Sequence, residues 1–486
     1  MRSGSKGPEG PIPTDHTDME ELKTPHMDRL TGLDASFLTN ENDASHMHIG
    51  AVLLFEGEPP PYRDFVAHIE SRLPLVPRYR QKLAYPPMDI GRPLWVDDDA
   101  FNLSFHMRHT ALPAPGTERE LITLANRVFS QSLDREKPLW EMYLVEGLEG
   151  NRFAVLIKSH HAMIDGVSGV DIGTVIFDLT PDPEPVAPPD PWEPRRPPSE
   201  YELLGQSAGE VAGTPLRLGA RALDAIRNPQ RIAAKVGEQI EGLAEFAKQF
   251  ADPAPDVPLN TEITPHRRIA LTRANLEDLK TVKNHYGTTV NDVVLATVTG
   301  SLRNWLINRG VDVEGLELRA LVPVSVRAED EHGALGNRLA AMRGPLPVYE
   351  GDPVKRLEIV SAAMDGLKES KQALGAEVIA RLNDFAPPTL LAQSGRIAFS
   401  TRLFNLLVTN VPGPQIPLYM LGREMSEVFP IPFLAENHAL AVAVISYRGK
   451  VDFGLLGDFD AMPDIELISE GLNVALAELI DTCVEE

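Results

Sequence analysis

The sequence predicts an α/β protein of two lobes joined by a long crossover. Its 486 residues exceed what one hydrophobic core usually sustains, and β-like apolar runs alternate with helix-like segments in both halves of the chain. Between the halves, residues 181–200 contain nine prolines, which rules out helix and central sheet there. We therefore expect a disordered tail at 1–24, a first lobe at 25–180, a crossover at 181–265 and a second lobe at 266–486.

In the first lobe, apolar periodicity predicts each element in turn. The expected elements are a strand at 48–57, helices at 62–73 and 118–133, strands at 139–148 and 152–159, and a helix at 167–179. Gly150–Asn151 separates the last two strands, and this pair is typical of a tight hairpin turn. The histidines at 160 and 161 then lie on a strand-to-helix loop, where side chains commonly meet a ligand.

The crossover and the second lobe are predicted in the same way. A helical pattern runs from 216 to 250 with a break near Pro229, and a proline-rich linker follows at 251–265. The later elements are expected to be a strand at 268–273, helices at 275–287 and 290–310, strands at 318–326, 404–411, 438–449 and 450–458, and a helix at 464–482. Basic residues recur along 216–236 with apolar residues between them, which fits either a membrane or lipid-droplet contact or, as we favour, an ordinary solvated helix face.

Composition restricts the function classes. The net charge of −24 argues against nucleic acid as a main partner, although a local basic pocket for CoA is compatible with it. Cys483 is the single cysteine, so an intramolecular disulfide is excluded and a reducing compartment is expected. The N-terminal residues lack the apolar segment of a secretory signal. No apolar run of about 18 residues occurs, so any membrane contact is expected to be peripheral.

The segment "HHAMIDG" (160–166) carries the most informative chemistry. Gly166 permits a tight turn, and Asp165 would need a charged partner if it were buried, so an arginine elsewhere is expected to meet it. Adjacent histidines at a strand end point to opposite faces and chelate one metal ion poorly. No Gly-x-Ser-x-Gly nucleophile motif occurs and Cys483 is terminal. A general base for acyl transfer is favoured, with a metal site and purely structural histidines as alternatives.

Several stretches of the sequence resemble motifs of a known protein family. "HHAMIDG" is similar to the active-site motif of the CoA-dependent acyltransferase superfamily, which includes chloramphenicol acetyltransferase and peptide-synthetase condensation domains. The further stretches "LDASFL" (33–38), "PLWE" (138–141), "VNDVVLA" (290–296) and "TNVPGP" (409–414) resemble the bacterial wax ester synthase/diacylglycerol acyltransferase family. The match extends from about residue 28 to the C-terminus.

This resemblance implies two chloramphenicol-acetyltransferase-like lobes with mixed sheets, and a site and channel at their interface. His161 would be the general base, while His160 and Gly166 would shape the loop and Asp165 would hold it by a salt bridge. Asn291 and Asp292 would support the site from the second lobe. For that pair an N-cap, with Asn291 capping the helix that it opens, is an equal alternative.

The resemblance also implies residues that contact substrate. Pro138, Leu139 and Trp140 would line a substrate passage, although a Pro-Leu-Trp segment that leads into a strand can equally be core. Asn410 begins a rigid Pro-Gly turn that ends at Pro414. Thr409 would lie close enough to reach the oxyanion.

The implied activity is transfer of a long-chain fatty acyl group from acyl-CoA to diacylglycerol, to a long-chain alcohol, or to both. No metal and no cofactor other than the acyl-CoA substrate would be required. The expected location is the cytoplasm, with peripheral contact to the membrane or to lipid inclusions. The alternative is a free-standing condensation-type or small-molecule O-acyltransferase that uses another donor or acceptor.

Overall fold

The structure is a computed structural model, and it describes residues 27–89, 91–163, 175–184, 191–206, 252–325, 339–369 and 399–484. The elements of the first half are the strands β1 (Asp28–Arg29), β2 (His48–Glu56), β3 (Gln81–Ala84), β4 (Leu94–Asp97), β5 (Met107–Ala111), β6 (Trp140–Leu148) and β7 (Arg152–His160), and the helices α1 (Gly32–Asn40), α2 (Tyr62–Arg72), α3 (Leu103–His106) and α4 (Glu118–Phe129). A short 3₁₀ turn, His161–Met163, follows β7 directly.

The second half contains its own set of alternating elements. Its strands are β8 (Arg267–Asn275), β9 (Leu318–Ser325), β10 (Leu339–Leu346), β11 (Leu406–Pro412), β12 (Tyr419–Met420), β13 (Arg423–Ile431), β14 (Leu440–Tyr447) and β15 (Lys450–Asp458), and its helices are α5 (Leu276–Tyr286), α6 (Val290–Asn308), α7 (Pro353–Glu369) and α8 (Ile465–Thr482). Gly287 ends α5 in the left-handed conformation, with φ of 65°, which glycine adopts without steric cost.

Two six-stranded mixed sheets organise these elements, which confirms the predicted α/β class. The first sheet has the order β12-β13-β2-β7-β6-β5 and the second the order β10-β9-β11-β14-β15-β8, while β1, β4 and β3 form a small third sheet. The β6–β7 hairpin turns at Gly150 and Asn151, as predicted, and both residues have positive φ values. Strand β7 lies in the interior of the first sheet, and its Phe153–Ile157 segment is buried.

Strand β13 belongs to the second half of the sequence but completes the first sheet. It pairs antiparallel with β2, so that Val428 lies opposite Leu53 and Ile431 lies opposite Gly50. The sequence patterns did not predict β13, and the composition of the sheets does not follow the lobe boundaries expected at 25–180 and 266–486. Those boundaries remain a prediction.

Charged and polar side chains join the two halves beside this strand. Arg273 on β8 donates to Glu427 on β13, with Nε 3.0 Å from each carboxylate oxygen, and to Glu118 on α4, with Nη1 3.2 Å from Oε1. The neighbouring Asp452 is buried and accepts a 3.1 Å hydrogen bond from the backbone N–H of Val428. Burial, with the negative charge of Glu427, raises the pKa of Asp452 to about 6.

Several boundaries differ from the prediction. The helix expected at 118–133 ends at Phe129, where the backbone N–H of Ser130 closes the last turn and its hydroxyl bonds the Asn126 carbonyl. Of the helix expected at 167–179, residues 176–179 are not helical, because Asp178 instead forms a β-bridge with Tyr419. The helix expected at 216–250 lies outside the described residues.

The patterns also missed β10 and α7. Among the helices that the structure describes, none is both long and apolar enough to cross a membrane.

Candidate active site

The adjacent histidines lie where β7 leaves the interior of the first sheet. The backbone N–H of His160 donates to the carbonyl of Leu139 at 2.9 Å, and the N–H of His161 donates to the carbonyl of Met47 at 3.0 Å. These two carbonyls come from the segments that lead into β6 and β2, the neighbours of β7. The backbone of both histidines is therefore held from both sides of the strand.

The ring of His161 is enclosed by aromatic side chains from both halves of the chain. Phe37 of α1 stacks on it with the ring centroids 4.0 Å apart and the planes at 21°. Phe433, which follows β13, approaches edge-on at 5.6 Å. Burial is the main cause that lowers the pKa of His161 to about 4. The imidazole is therefore neutral near pH 7 and able to accept a proton.

His160 is held in a different way. Its Nδ1 accepts a 3.0 Å hydrogen bond from the backbone N–H of Ala162, so the proton of the neutral ring is assigned to Nε2. That Nε2 lies 3.5 Å from Oε2 of Glu41, at the C-terminal end of α1. His160 itself is almost completely buried.

Glu41 is the centre of a group that also contains the buried His48 and the half-exposed Arg135. Its Oε1 lies 3.6 Å from Nε2 of His48, and Arg135 donates to its Oε2 through both Nε, at 2.6 Å, and Nη2. Burial opposes ionisation of Glu41, but His160, His48 and Arg135 outweigh it and hold the pKa of this carboxyl below its usual range. We call Glu41, His48, His160 and Arg135 the Glu41 cluster.

A second buried ion pair joins β7 to its neighbour β6. Lys158 is inaccessible to solvent and donates to the carbonyls of Val128 and Gln131 at 3.0 Å each. Its Nζ is 3.4 Å from Oε2 of Glu141 on β6. Burial lowers the pKa of Lys158, and Glu141 opposes this effect. Because Lys158 and His160 are two residues apart on β7, they share one face of the sheet.

The structure brings together two of the site residues predicted in the second half. Nδ2 of Asn410 on β11 donates to Oδ1 of Asn291 on α6 at 3.3 Å. Both side chains are partly exposed, as is that of Thr409. Among the described contacts, none joins these residues directly to His161.

The N-cap alternative was wrong about Asn291. The cap of α6 is Thr289, whose hydroxyl accepts from the N–H of Asp292 at 3.2 Å, while the Asp292 carboxylate accepts from the N–H of Thr289 at 2.9 Å. Asp292 thus completes a capping box and is buried, with a further 3.2 Å bond from Ser361. Asn291, one position earlier, is left to contact Asn410.

Pro138, Leu139 and Trp140 are all buried. The indole N–H of Trp140 donates to the Tyr79 carbonyl at 2.9 Å, and His106 stacks on the indole at 4.7 Å. These contacts are those of a core residue, so they support the alternative of core packing for Trp140. Leu139 contributes to the site through its carbonyl, which holds His160.

Two predicted residues, Asp165 and Gly166, lie outside the described residues, and so does any arginine contact of Asp165. In the part of the chain that the structure describes, no group of three or more His, Cys, Asp or Glu side chains has an arrangement that could hold a metal ion.

Sequence reasoning missed Glu41, His48 and Arg135, and it gave no individual role to Phe37 or Phe433. A usable signal was present in "ENDASHMHIG" (41–50). There a second pair of histidines, His46 and His48, stands next to an apolar strand, as the first pair does.

Comparison of the sequence with known proteins identifies its relatives. The profile of the wax ester synthase/diacylglycerol acyltransferase catalytic domain matches residues 30–294, and that of the WS/DGAT C-terminal domain matches residues 335–480. A putative diacylglycerol O-acyltransferase of Mycobacterium tuberculosis is 32% identical over 474 residues, which cover 94% of this chain and 90% of the relative. The probable diacylglycerol O-acyltransferase tgs2 of the same species is 33% identical over 464 residues, covering 93% and 99%.

Solved structures show the same relationship. The wax ester synthase/diacylglycerol acyltransferase from Marinobacter aquaeolei VT8 superimposes with a TM-score of 0.66 at 28% identity and covers 94% of this chain and 99% of its own. The first condensation domain of the CDA synthetase shares the fold with a TM-score of 0.57 at 15% identity, covering 95% and 97%. Matches across nearly the whole sequence show that the chain belongs to the wax ester synthase/diacylglycerol acyltransferase family.

Proposed function

We propose that this protein transfers a long-chain fatty acyl group from acyl-CoA to diacylglycerol, to a long-chain alcohol, or to both, with His161 as general base. The observation that carries the proposal is the enclosure of a neutral imidazole between Phe37 and Phe433, at the end of β7 and between the two halves of the chain. The relatives named as diacylglycerol O-acyltransferases and wax ester synthase support the choice of substrates.

In the proposed reaction, His161 takes the proton of the acceptor hydroxyl while that oxygen attacks the thioester carbonyl. The tetrahedral intermediate then collapses, the C–S bond breaks, and the imidazolium returns the proton to the CoA thiolate. A pKa of about 4 makes His161 a weak base, so proton removal must accompany C–O bond formation rather than precede it. The same low pKa makes the imidazolium a strong acid, which favours protonation of the leaving thiolate.

The remaining predicted residues receive supporting roles in this proposal. Asn291 and Asn410, which hold each other, and Thr409 would contact substrate or oxyanion from the second half. Asp292 would act indirectly, since its carboxylate holds the start of α6. Asp165 and Gly166 would shape the loop after the histidines. A substrate passage along Pro138 and Leu139 stays a prediction. No metal and no cofactor beyond acyl-CoA enter the scheme.

We further propose a cytoplasmic protein that meets its acceptor at a membrane or lipid-inclusion surface. The support is chemical: diacylglycerols and long-chain alcohols partition into lipid, so an enzyme without a dissolved acceptor must reach them at an interface. Sedimentation with vesicles that contain dioleoylglycerol would test this location. The protein remaining in the supernatant at all vesicle concentrations would contradict it.

The experiment that tests the activity is a competition assay. Purified protein is incubated with palmitoyl-CoA, dioleoylglycerol and hexadecanol, and both ester products and free CoA are measured. His161→Ala should lower the rate by about 10²–10⁴-fold, whereas His68→Ala, a buried histidine that bonds the Ile176 carbonyl, should retain most of it. If neither ester forms, or if activity is found only with short acyl-CoA or acyl carrier protein, the condensation-type alternative would be favoured.

Initial-rate kinetics test the direct transfer. Varied acyl-CoA and acceptor should give intersecting lines, as expected when both substrates are bound together. Parallel lines, or a burst of CoA before acceptor is added, would show a covalent acyl-enzyme instead.

A further inference from the structure

Helix α1 contacts both histidines of the loop. Phe37, near its middle, stacks on His161, and Glu41, directly after its last residue, faces His160. The Glu41 side chain is only 8% exposed. A buried carboxylate is retained at a cost unless it is paired, and three of the groups around this one are His160, His48 and Arg135.

The hydrogen bonds of His160 fix which ring nitrogen carries the proton. The backbone N–H of Ala162 can only donate, so Nδ1 of His160 must be the acceptor in their 3.0 Å contact. The proton of the neutral ring then lies on Nε2, which is 3.5 Å from Oε2 of Glu41. An ionised carboxylate can only accept, so its field stabilises this tautomer and opposes the other one.

The tautomer of His160 bears on His161 because the two residues share a backbone turn. The bond from Ala162 to Nδ1 closes the chain around His161, whose own N–H is held by the Met47 carbonyl. A proton on Nδ1 would place two donors against each other and open this turn. The stacking of His161 on Phe37 depends on the same backbone position.

From this geometry we propose that Glu41 is a positioning residue, which holds His160 in the Nε2–H tautomer and thereby fixes the backbone that carries His161. Glu41 acts through His160 and does not touch the substrate. The inference deepens the proposed function and rests on it in one respect, namely that His161 is the base. The tautomer itself is independent of any activity.

The test compares Glu41→Gln with a matched change, Glu141→Gln. Both substitutions neutralise a largely buried carboxylate that faces a cation, but Glu141 pairs with Lys158 rather than with the histidines. In Glu41→Gln, the amide can donate to Nε2 as well as accept from it, so the preference for one tautomer is lost. We expect kcat to fall by about 10–100-fold, by analogy with the range seen when the hydrogen-bonding partner of a metal-ligating histidine is removed, with KM for palmitoyl-CoA changed less than about 3-fold.

The direct readout is the ¹⁵N spectrum of protein labelled at histidine, with His160 assigned from the signal lost in His160→Gln. The wild-type protein should show the Nε2–H tautomer, Glu41→Gln a mixture, and Glu141→Gln the wild-type pattern with kcat near wild type. Glu41→Asp, which keeps the charge on a shorter side chain, should recover a large part of both kcat and the tautomer, and it serves if Glu41→Gln folds poorly.

Three results would overturn the proposal: an unchanged His160 tautomer in Glu41→Gln, an equal loss of kcat in Glu141→Gln, or a loss confined to thermal stability. If the wild-type protein has no acyltransferase activity, the proposed function fails. The ¹⁵N spectra would still show whether Glu41 sets the tautomer of His160.

Discussion

Replacing Phe37 by alanine should raise the pKa of His161. Burial is the main reason why this pKa is about 4 instead of 6.5, a difference of 2.5 units, or about 3 kcal/mol at 1.36 kcal/mol per unit. Phe37 covers one of the two ring faces at 4.0 Å. If each face contributes equally, its removal returns about 1 unit, so the pKa of His161 should move to about 5.

The assay is the pH dependence of kcat/KM for acyl-CoA from pH 4 to 8, together with an NMR titration of the His161 ring. At pH 5 about nine-tenths of the wild-type base is neutral, against about half in Phe37→Ala. The substitution also removes a buried ring, which costs about 3–5 kcal/mol of stability, so folding must be checked by circular dichroism at each pH.

Phe399→Ala is the matched control, since Phe399 packs on Phe37 at 6.2 Å and on Phe433 at 5.8 Å, and no ring contact with His161 is described for it. The acidic limb of this variant should stay near that of the wild type. An acidic limb in Phe37→Ala that coincides with the wild-type one would refute the reasoning, as would an equal shift in Phe399→Ala.

Three further outcomes are expected. Because the pKa of Asp452 is raised to about 6, its ionisation costs stability above that pH and not below about 3.8. Relative to wild type, Asp452→Asn should therefore gain about 2 kcal/mol more stability at pH 7.5 than at pH 4.5, which is roughly 2 °C in Tm for this chain length. Equal Tm differences between variant and wild type at the two pH values would contradict this expectation. Trp140→Phe removes the indole bond to the Tyr79 carbonyl and should cost about 1–3 kcal/mol of stability with KM unchanged, whereas a raised KM would support a substrate passage. Asn291→Ala and Asn410→Ala should lower kcat by similar factors and the double variant by little more, since each amide holds the other; additive losses in kcat would argue against this coupling.

Local patterns predicted much of the fold. The hairpin at Gly150 and Asn151 was predictable because the two positive φ values that it needs suit these residue types. The sequence likewise predicted that His160 and His161 follow a buried strand. Because β7 is buried on both faces, its residues form a largely continuous apolar run that can be recognised in the sequence. The Thr-x-x-Asp pattern at Thr289 was available too, and it would have identified the capping box of α6 before the structure did.

Long-range pairing was not predictable in this way. The β13 segment contains Pro430 and several charged residues, so its own pattern does not indicate a strand. Its partner β2 lies hundreds of residues earlier. Glu41 was missed because a lone acidic residue after a helix usually faces solvent. The packing of α1 against the 3₁₀ turn His161–Met163, which follows β7, turns it towards His160.

The pairing of β2 with β13 also determines when the first sheet can be completed during translation. Until residues 423–431 leave the ribosome, β2 has no neighbour on one side, and its row of free N–H and C=O groups is open to any other strand. The register partners Leu53 and Val428 are separated by 375 positions, which at about 5–20 residues per second is roughly 20–75 s of translation. For that interval the first half is an incomplete sheet. A polysome presents several such edges side by side, so β2 is open to pairing between nascent chains until β13 has been made.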